Sequence, residues 1–296
     1  MKYGTVYSTG YAFMFSLLLC LLPSLIPYAS AAQPAVTVPN GPRYLGARLP
    51  GCLRYLGLPF ALPPLGDLRW RAPAPLPPLM RPKTVNATKY APLCMQPGAG
   101  WSTLIGSRSE DCLYLNVFTP EVYEPQSLPV LVFIHGGDFL QGGASDSELR
   151  GCNLVRATAA TVVITIQYRL GVFGFLGDYR LAAREGGFSS ASPTKISTGN
   201  YGLLDQIAAL RWIKNNVGVF GGNSGKIMIF GESAGAGSVN NLLVSPLARG
   251  LFHRAVMQSG AFALWTKCTF LNKLHVPGYD WVSVCCAVRC RVLVFS

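Results

Sequence analysis

A doubly wound α/β sheet is the fold this sequence predicts, and three observations predict it. Apolar stretches of strand length recur at Val130–Ile134, Thr161–Gln167 and Lys226–Phe230. Between the second and the third, Leu203, Leu204, Ile207, Leu210 and Ile213 recur at helical spacing, which makes an amphipathic helix. The third strand runs straight into a glycine-flanked turn, and Ala236–Leu243 can then form a second helix. Strands alternating with helices imply a mostly parallel sheet covered by helices on both faces.

The elements follow in chain order. Lys2 precedes an apolar run from Tyr11 to Ile26, and Ala29-Ser30-Ala31 closes it with small residues. A basic start, an apolar middle and a small-residue end are the pattern of a cleaved secretory leader. The run is short and interrupted by Pro23 and Pro27, so residues 1–31 are read as a signal peptide, with no stable membrane insertion after its removal. Residues 32–110 carry Pro63-Pro64, Pro73, Pro75 and Pro77-Pro78, and proline excludes both helix interior and central strand. An irregular wrapper with short edge strands is expected there. The periodic core begins near Leu113, and Gly218, Gly221 and Gly222 end the amphipathic helix before the strand at Lys226.

Gly231-Glu232-Ser233-Ala234-Gly235 is a G-x-S-x-G sequence in a strand–turn–helix frame, the context a nucleophile elbow requires. The turn lifts the Ser233 hydroxyl out of the sheet. A second segment supplies what such a serine needs. The strand Val130–Ile134 delivers His135-Gly136-Gly137-Asp138 into a loop. Attack on an ester carbonyl creates an oxyanion, which backbone N–H groups aimed at it stabilise. The candidate donors are Gly136, Gly137 and Asp138 in this loop and Ala234 after the serine.

Together with these residues, several segments resemble the type-B carboxylesterase family, the cholinesterase-like branch of the α/β-hydrolases. They are Tyr55–Trp70, Glu110–Phe118, Gln167–Phe175, Gly199–Gln206 and Phe252–Gly260. The resemblance covers about residues 40 to 265 in family order and stops at Trp265. It implies the N-terminal part of an α/β-hydrolase fold and a secreted serine esterase acting on a small-molecule ester through an acyl-enzyme. It also implies Glu232 as a buried neighbour of the elbow, His135 as a positioning residue, and a structural role for His253. Cys94 and Cys112 match a disulfide of the family. Asp138 stands where the family has glycine or alanine, and a carboxylate turned inward there would repel the oxyanion. Gly186–Thr198 reads as a loop insertion relative to the family.

Such an enzyme places its acid and then its histidine after the serine. After Ser233 this sequence has one acid, Asp280, and both histidines, His253 and His275, precede it. No residues here satisfy that order, so the triad acid and base are expected to be missing from this chain. The alternative function is therefore a catalytically inactive binding or adhesion module of the same fold.

Composition agrees with the secretory route. Of nine cysteines, Cys20 lies in the leader, Cys52 and Cys152 have no assigned partners, and Cys268, Cys285, Cys286 and Cys290 crowd a divergent tail over 266–296. Their spacing suits no metal site. Asn86-Ala87-Thr88 is a glycosylation sequon. The net charge of +12 comes from scattered basic residues, which argues against nucleic acid as a partner. No cofactor is implied, because ester hydrolysis of this kind needs side chains and water alone. The domain is expected over 32–265.

Overall fold

The computed structural model describes residues 32–80, 83–97, 106–146, 151–158, 160–178, 181 and 199–260. The leader, the 186–198 insertion and the tail with His275 and Asp280 lie outside the described residues. The chain divides into two compact units, Met1–Gln33 and Pro34–Ser296, and the second carries the fold.

Its strands are β1 (Ala35–Thr37), β2 (Arg43–Leu45), β3 (Ala47–Leu49), β4 (Cys52–Pro59), β5 (Thr84–Asn86), β6 (Leu93–Cys94), β7 (Arg108–Ser109), β8 (Tyr114–Thr119), β9 (Leu128–Ile134), β10 (Val162–Ile166), β11 (Gly222–Glu232) and β12 (Arg254–Gln258). The helices are α1 (Gly151–Thr158), α2 (Gly171–Phe175), α3 (Tyr201–Asn216) and α4 (Ala234–Val244). Seven strands form the main sheet in the order β12-β11-β9-β10-β8-β4-β3. Pairing is parallel from β12 to β10 and antiparallel from β10 to β3. The α/β expectation holds, with an antiparallel meander added along one side.

Burial on both faces explains the strand compositions. All five residues of Val162–Ile166 are buried, as a strand sandwiched between helical layers requires. One face packs Ile164, Ile166, Val132 and Ile134 with Ile207, Leu210 and Ile213 of α3 and Val239 of α4. The other packs Val163, Phe118 and Leu56 with Val155 of α1. The periodic leucines and isoleucines of α3 therefore face the core, as their spacing predicts.

One expectation is corrected, and one question the sequence left open is answered. The 32–110 segment is not only wrapper, because β4 is an eight-residue strand between β8 and β3 in the sheet interior. Its stretch from Cys52 to Leu58 contains no proline, and the prolines that suggested irregular chain come at its end and after it. Cys52 and Cys152, which the sequence left without partners, form a disulfide with each other. It staples the start of β4 to α1, and both cysteines are buried. Closing a loop of 100 residues removes unfolded-state entropy worth about 4.7 kcal/mol in the chain-entropy model. The Cys94–Cys112 bridge implied by the family resemblance is also present.

Candidate active site

The turn after β11 has the geometry of a sharp elbow. Ser233 adopts φ 55° and ψ −121°, outside the regions open to most L-residues. Holding a non-glycine residue there costs on the order of 1–3 kcal/mol, which the surroundings must offset. They do so through backbone hydrogen bonds. Ser233 N–H donates to the Gln258 carbonyl at 2.9 Å, and Gly237 N–H donates to the Ser233 carbonyl at 3.1 Å. The first bond pins the elbow to the end of β12, and the second opens α4.

Close approach of backbone explains both glycines of the pentapeptide. A Cβ on Gly231 would lie 2.5 Å from the Gly235 carbonyl, and one on Gly235 would lie 2.1 Å from the Ile134 carbonyl oxygen. The elbow thus seats directly on the end of β9, where the His135–Asp138 loop begins. That loop reaches the serine. A Cβ on Gly136 would stand 3.2 Å from Ser233 Cβ and 2.6 Å from the Glu232 carbonyl oxygen. Ala234 is the first residue of α4, so its N–H belongs to the turn that has no intrahelical acceptor. The structure places Gly136 beside the Ser233 elbow, next to the start of α4 at Ala234.

Asp138 is exposed and has φ 56°, a left-handed conformation that aspartate tolerates better than most residues. Phe139 continues it with φ 58° and is buried against Phe175, ring centroids 5.0 Å apart. Glu232 departs from expectation. It is exposed, not buried: Ile227, Ile229 and Gly231 are buried on one face of β11, and Glu232 lies on the other face at the strand's end.

His135 is buried, stacks on Tyr168 with ring centroids 4.3 Å apart, and has Nδ1 2.9 Å from the Gly136 carbonyl oxygen. A carbonyl only accepts, so Nδ1 carries the proton and donates. Nε2 is left buried without a hydrogen-bond partner among the described residues. Burial pushes the imidazole pKa down to about 4, against smaller opposing contributions from the Gly136 carbonyl and Asp146. The ring is neutral at pH 7 and engaged with the loop, which suits a positioning residue and not a proton shuttle.

This burial couples to stability. The unfolded histidine binds a proton near pH 6.5 and the folded one only near pH 4, so the unfolded state binds more protons between them. The stability present above pH 6.5 should therefore fall by roughly 3 kcal/mol as pH drops to 4. Urea unfolding from pH 4 to 7.5 checks this, with His135→Gln losing less over that window. Parallel curves for the two proteins would rule it out.

Sequence reasoning missed Tyr168 and Gln258 as supports of the site. Tyr168 Oη donates to the His135 carbonyl at 2.7 Å, and Gln258 receives the Ser233 N–H. Both lie in segments that signal the family resemblance, but only three-dimensional pairing shows what they hold. His253 exchanges backbone and ring bonds with Ile227, its Nδ1 accepting at 3.2 Å and its N–H donating at 2.8 Å. It fastens β12 to β11, in keeping with a structural role. A groove of about 660 Å³ between the proline-rich segment and α3 includes no residue of the elbow or of the Gly136 loop.

Comparison with known proteins gives a consistent result. A model of the carboxylesterase family matches residues 32–269. Carboxylesterase 1D of Rattus norvegicus is 46% identical over 218 residues, covering 70% of this chain and 35% of the relative. Juvenile hormone esterase of Tribolium castaneum is 43% identical over 216 residues, covering 73% and 34%. Among solved structures, a thermophilic PNB esterase aligns with TM-score 0.67 and 39% identity over 77% of this chain and 44% of its own. The Geobacillus stearothermophilus carboxylesterase aligns with TM-score 0.66 and 40% identity, over 79% and 44%. The chain spans about a third of the length of the curated relatives it matches.

Proposed function

The chain belongs to the carboxylesterase family, and from that premise we propose that it carries the nucleophile half of a secreted serine carboxylic-ester hydrolase. Ser233 Oγ would attack the carbonyl carbon of a small-molecule ester, forming a C–O bond and placing a negative charge on the carbonyl oxygen. The N–H groups of Gly136, Gly137, Asp138 and Ala234 would receive that oxyanion. Collapse to an acyl-serine and its hydrolysis need a group that protonates the departing alcohol and then deprotonates water, and those steps lie beyond this reading. Attack also requires a base to take the Ser233 proton, and this reading assigns none: it covers attack and oxyanion binding alone. One observation carries it: the strained Ser233 backbone, with Gly136 packed so close to the elbow that a Cβ there would lie 2.6 Å from the Glu232 carbonyl oxygen.

The remaining assignments rest on the same reading. Residues 1–31 act as a cleaved leader and 32–265 as the domain, followed by the divergent tail. Two buried disulfides suit an oxidising compartment. Asn86 is exposed at the end of β5, where its Oδ1 accepts from Thr88 N–H at 3.2 Å and Thr88 Oγ1 at 2.8 Å. That local turn presents the amide as a glycan acceptor. Among the described residues, no helix is long and apolar enough to cross a membrane.

A fluorophosphonate probe tests the nucleophile directly, because it bonds only to an activated hydroxyl. The expected result is labelling that peptide mapping places on Ser233 and that Ser233→Ala abolishes. The second reading, a binding module without catalysis, draws on Asp138, an acidic residue in the loop where the family has glycine or alanine. A folded chain that stays unlabelled would favour it.

A further inference from the structure

We propose that Gln96 is a positioning residue for the oxyanion loop, clamping it to the loop closed by the Cys94–Cys112 disulfide. The clamp is a two-way amide pair. Gln96 Nε2 donates to the Gly142 carbonyl at 2.8 Å, and Gln96 Oε1 accepts the Gly142 N–H at 3.0 Å. The same Nε2 donates to the Cys94 carbonyl at 3.1 Å, so the carboxamide is oriented by the residue that bears the disulfide. Gln96 is half-buried, which shields these bonds from competing water.

Gly142 passes the constraint on. It has φ 112°, and a Cβ there would lie 2.5 Å from both the Gly136 carbonyl oxygen and His135 Nδ1. Its backbone is therefore in direct contact with the peptide that fixes the direction of the Gly137 N–H. Between Gly137 and Gly142 the chain makes one tight turn, with Leu140 and Gln141 N–H groups donating to the Gly137 carbonyl at 3.0 Å. Two residues further on the chain is tied to the sheet. Ala144 N–H donates to Gln167 Oε1 at 3.3 Å, and the Ala144 carbonyl accepts from Asn116 Nδ2 at 3.1 Å and Thr165 Oγ1 at 2.9 Å. Gln96 supplies a fixed point on the Gly142 side of the loop, opposite the Tyr168 bond to the His135 carbonyl, from a chain segment held by its own disulfide and by the β6–β7 pair.

Side-chain chemistry makes the residue type matter. A carboxamide offers a donor and an acceptor on adjacent atoms, which suits the paired N–H and C=O of Gly142, and asparagine is one methylene shorter. Glutamate keeps the size and the acceptor but has no N–H for the Gly142 carbonyl.

The inference rests on the reading of Gly136 and Gly137 as oxyanion donors, and its test separates the two. Hydrogen–deuterium exchange on the whole chain follows the peptide over 135–140, which Gln96 does not touch. In Gln96→Ala this segment should exchange faster by roughly tenfold or more, and in Gln96→Glu by less, with β10 and β11 unchanged. Labelling of Ser233 by the fluorophosphonate should slow in the same order. Exchange over 135–140 that stays within twofold of wild type in both variants would overturn the proposal. So would a rise spread evenly over the sheet, which would make Gln96 a general stabiliser. If wild type takes no label while the 135–140 segment loosens as described, the clamp stands and the nucleophile reading falls.

Discussion

Asp205→Ala should lower the unfolding free energy by about 3–5 kcal/mol, enough to abolish a cooperative transition in a domain of ordinary stability. Asp205 lies on α3 fully buried, and its carboxylate holds Arg169 bidentately, accepting from Nε and Nη2 at 2.7 Å each. It also accepts the Arg169 backbone N–H at 3.0 Å. Arg169 is buried too, spends Nη2 a second time on the Arg71 carbonyl at 2.8 Å, and faces the Tyr201 ring at 5.5 Å. Removing the carboxylate would strand a guanidinium where water cannot reach it. The loss comes from that uncompensated charge, not from the worth of the pair itself. Replacing both partners by apolar residues, as in Arg169→Met with Asp205→Leu, should therefore recover most of what Asp205→Ala loses. Urea titrations of the three proteins and wild type decide it. A single Asp205→Ala variant within 1 kcal/mol of wild type would refute the account.

That ion pair also shows where sequence reading runs out. Arg169 and Asp205 sit in two segments, Gln167–Phe175 and Gly199–Gln206, each of which signals the family resemblance. Nothing in either segment says that the two meet. Long-range pairing of polar groups leaves no periodic trace, because it depends on how the crossover between β10 and α3 returns. The same holds for Cys52 and Cys152, which are 100 residues apart and have no spacing rule to join them. What was legible is what repeats locally: the apolar strands, the stripe of α3, and the glycines around Ser233. Glu232 and β4 mark the two opposite errors. For Glu232, a buried role carried over from relatives went beyond what its strand says, which is only that it lies on the face opposite Ile227, Ile229 and Gly231. For β4, a density of prolines over a long window hid a proline-free stretch from Cys52 to Leu58.

Gly235→Ala is the second substitution expected to have a large effect, and it isolates the elbow from the rest of the fold. The new methyl carbon would fall 2.1 Å from the Ile134 carbonyl oxygen and 2.9 Å from that of His135. Both obstacles are backbone, at the end of a strand hydrogen-bonded to β10 and β11, so neither can turn aside as a side chain would. Relief requires α4 to draw back from β9 by an ångström or more, which moves Ala234 N–H away from Gly136. Overpacking of this kind costs about 1–3 kcal/mol or somewhat more in stability. The effect on reactivity should be larger, because displacing an oxyanion donor by that distance reduces rates by about a hundredfold. Gly225→Ala is the control on the same strand: Gly225 is exposed, and its nearest neighbour is the Asn223 side-chain oxygen at 3.0 Å. Its cost should stay near or below about 1 kcal/mol. Thermal unfolding and the rate of Ser233 labelling, measured on both variants, should fall for Gly235→Ala and hold for Gly225→Ala. Equal behaviour of the two would mean that the contact between α4 and β9 does not govern the elbow.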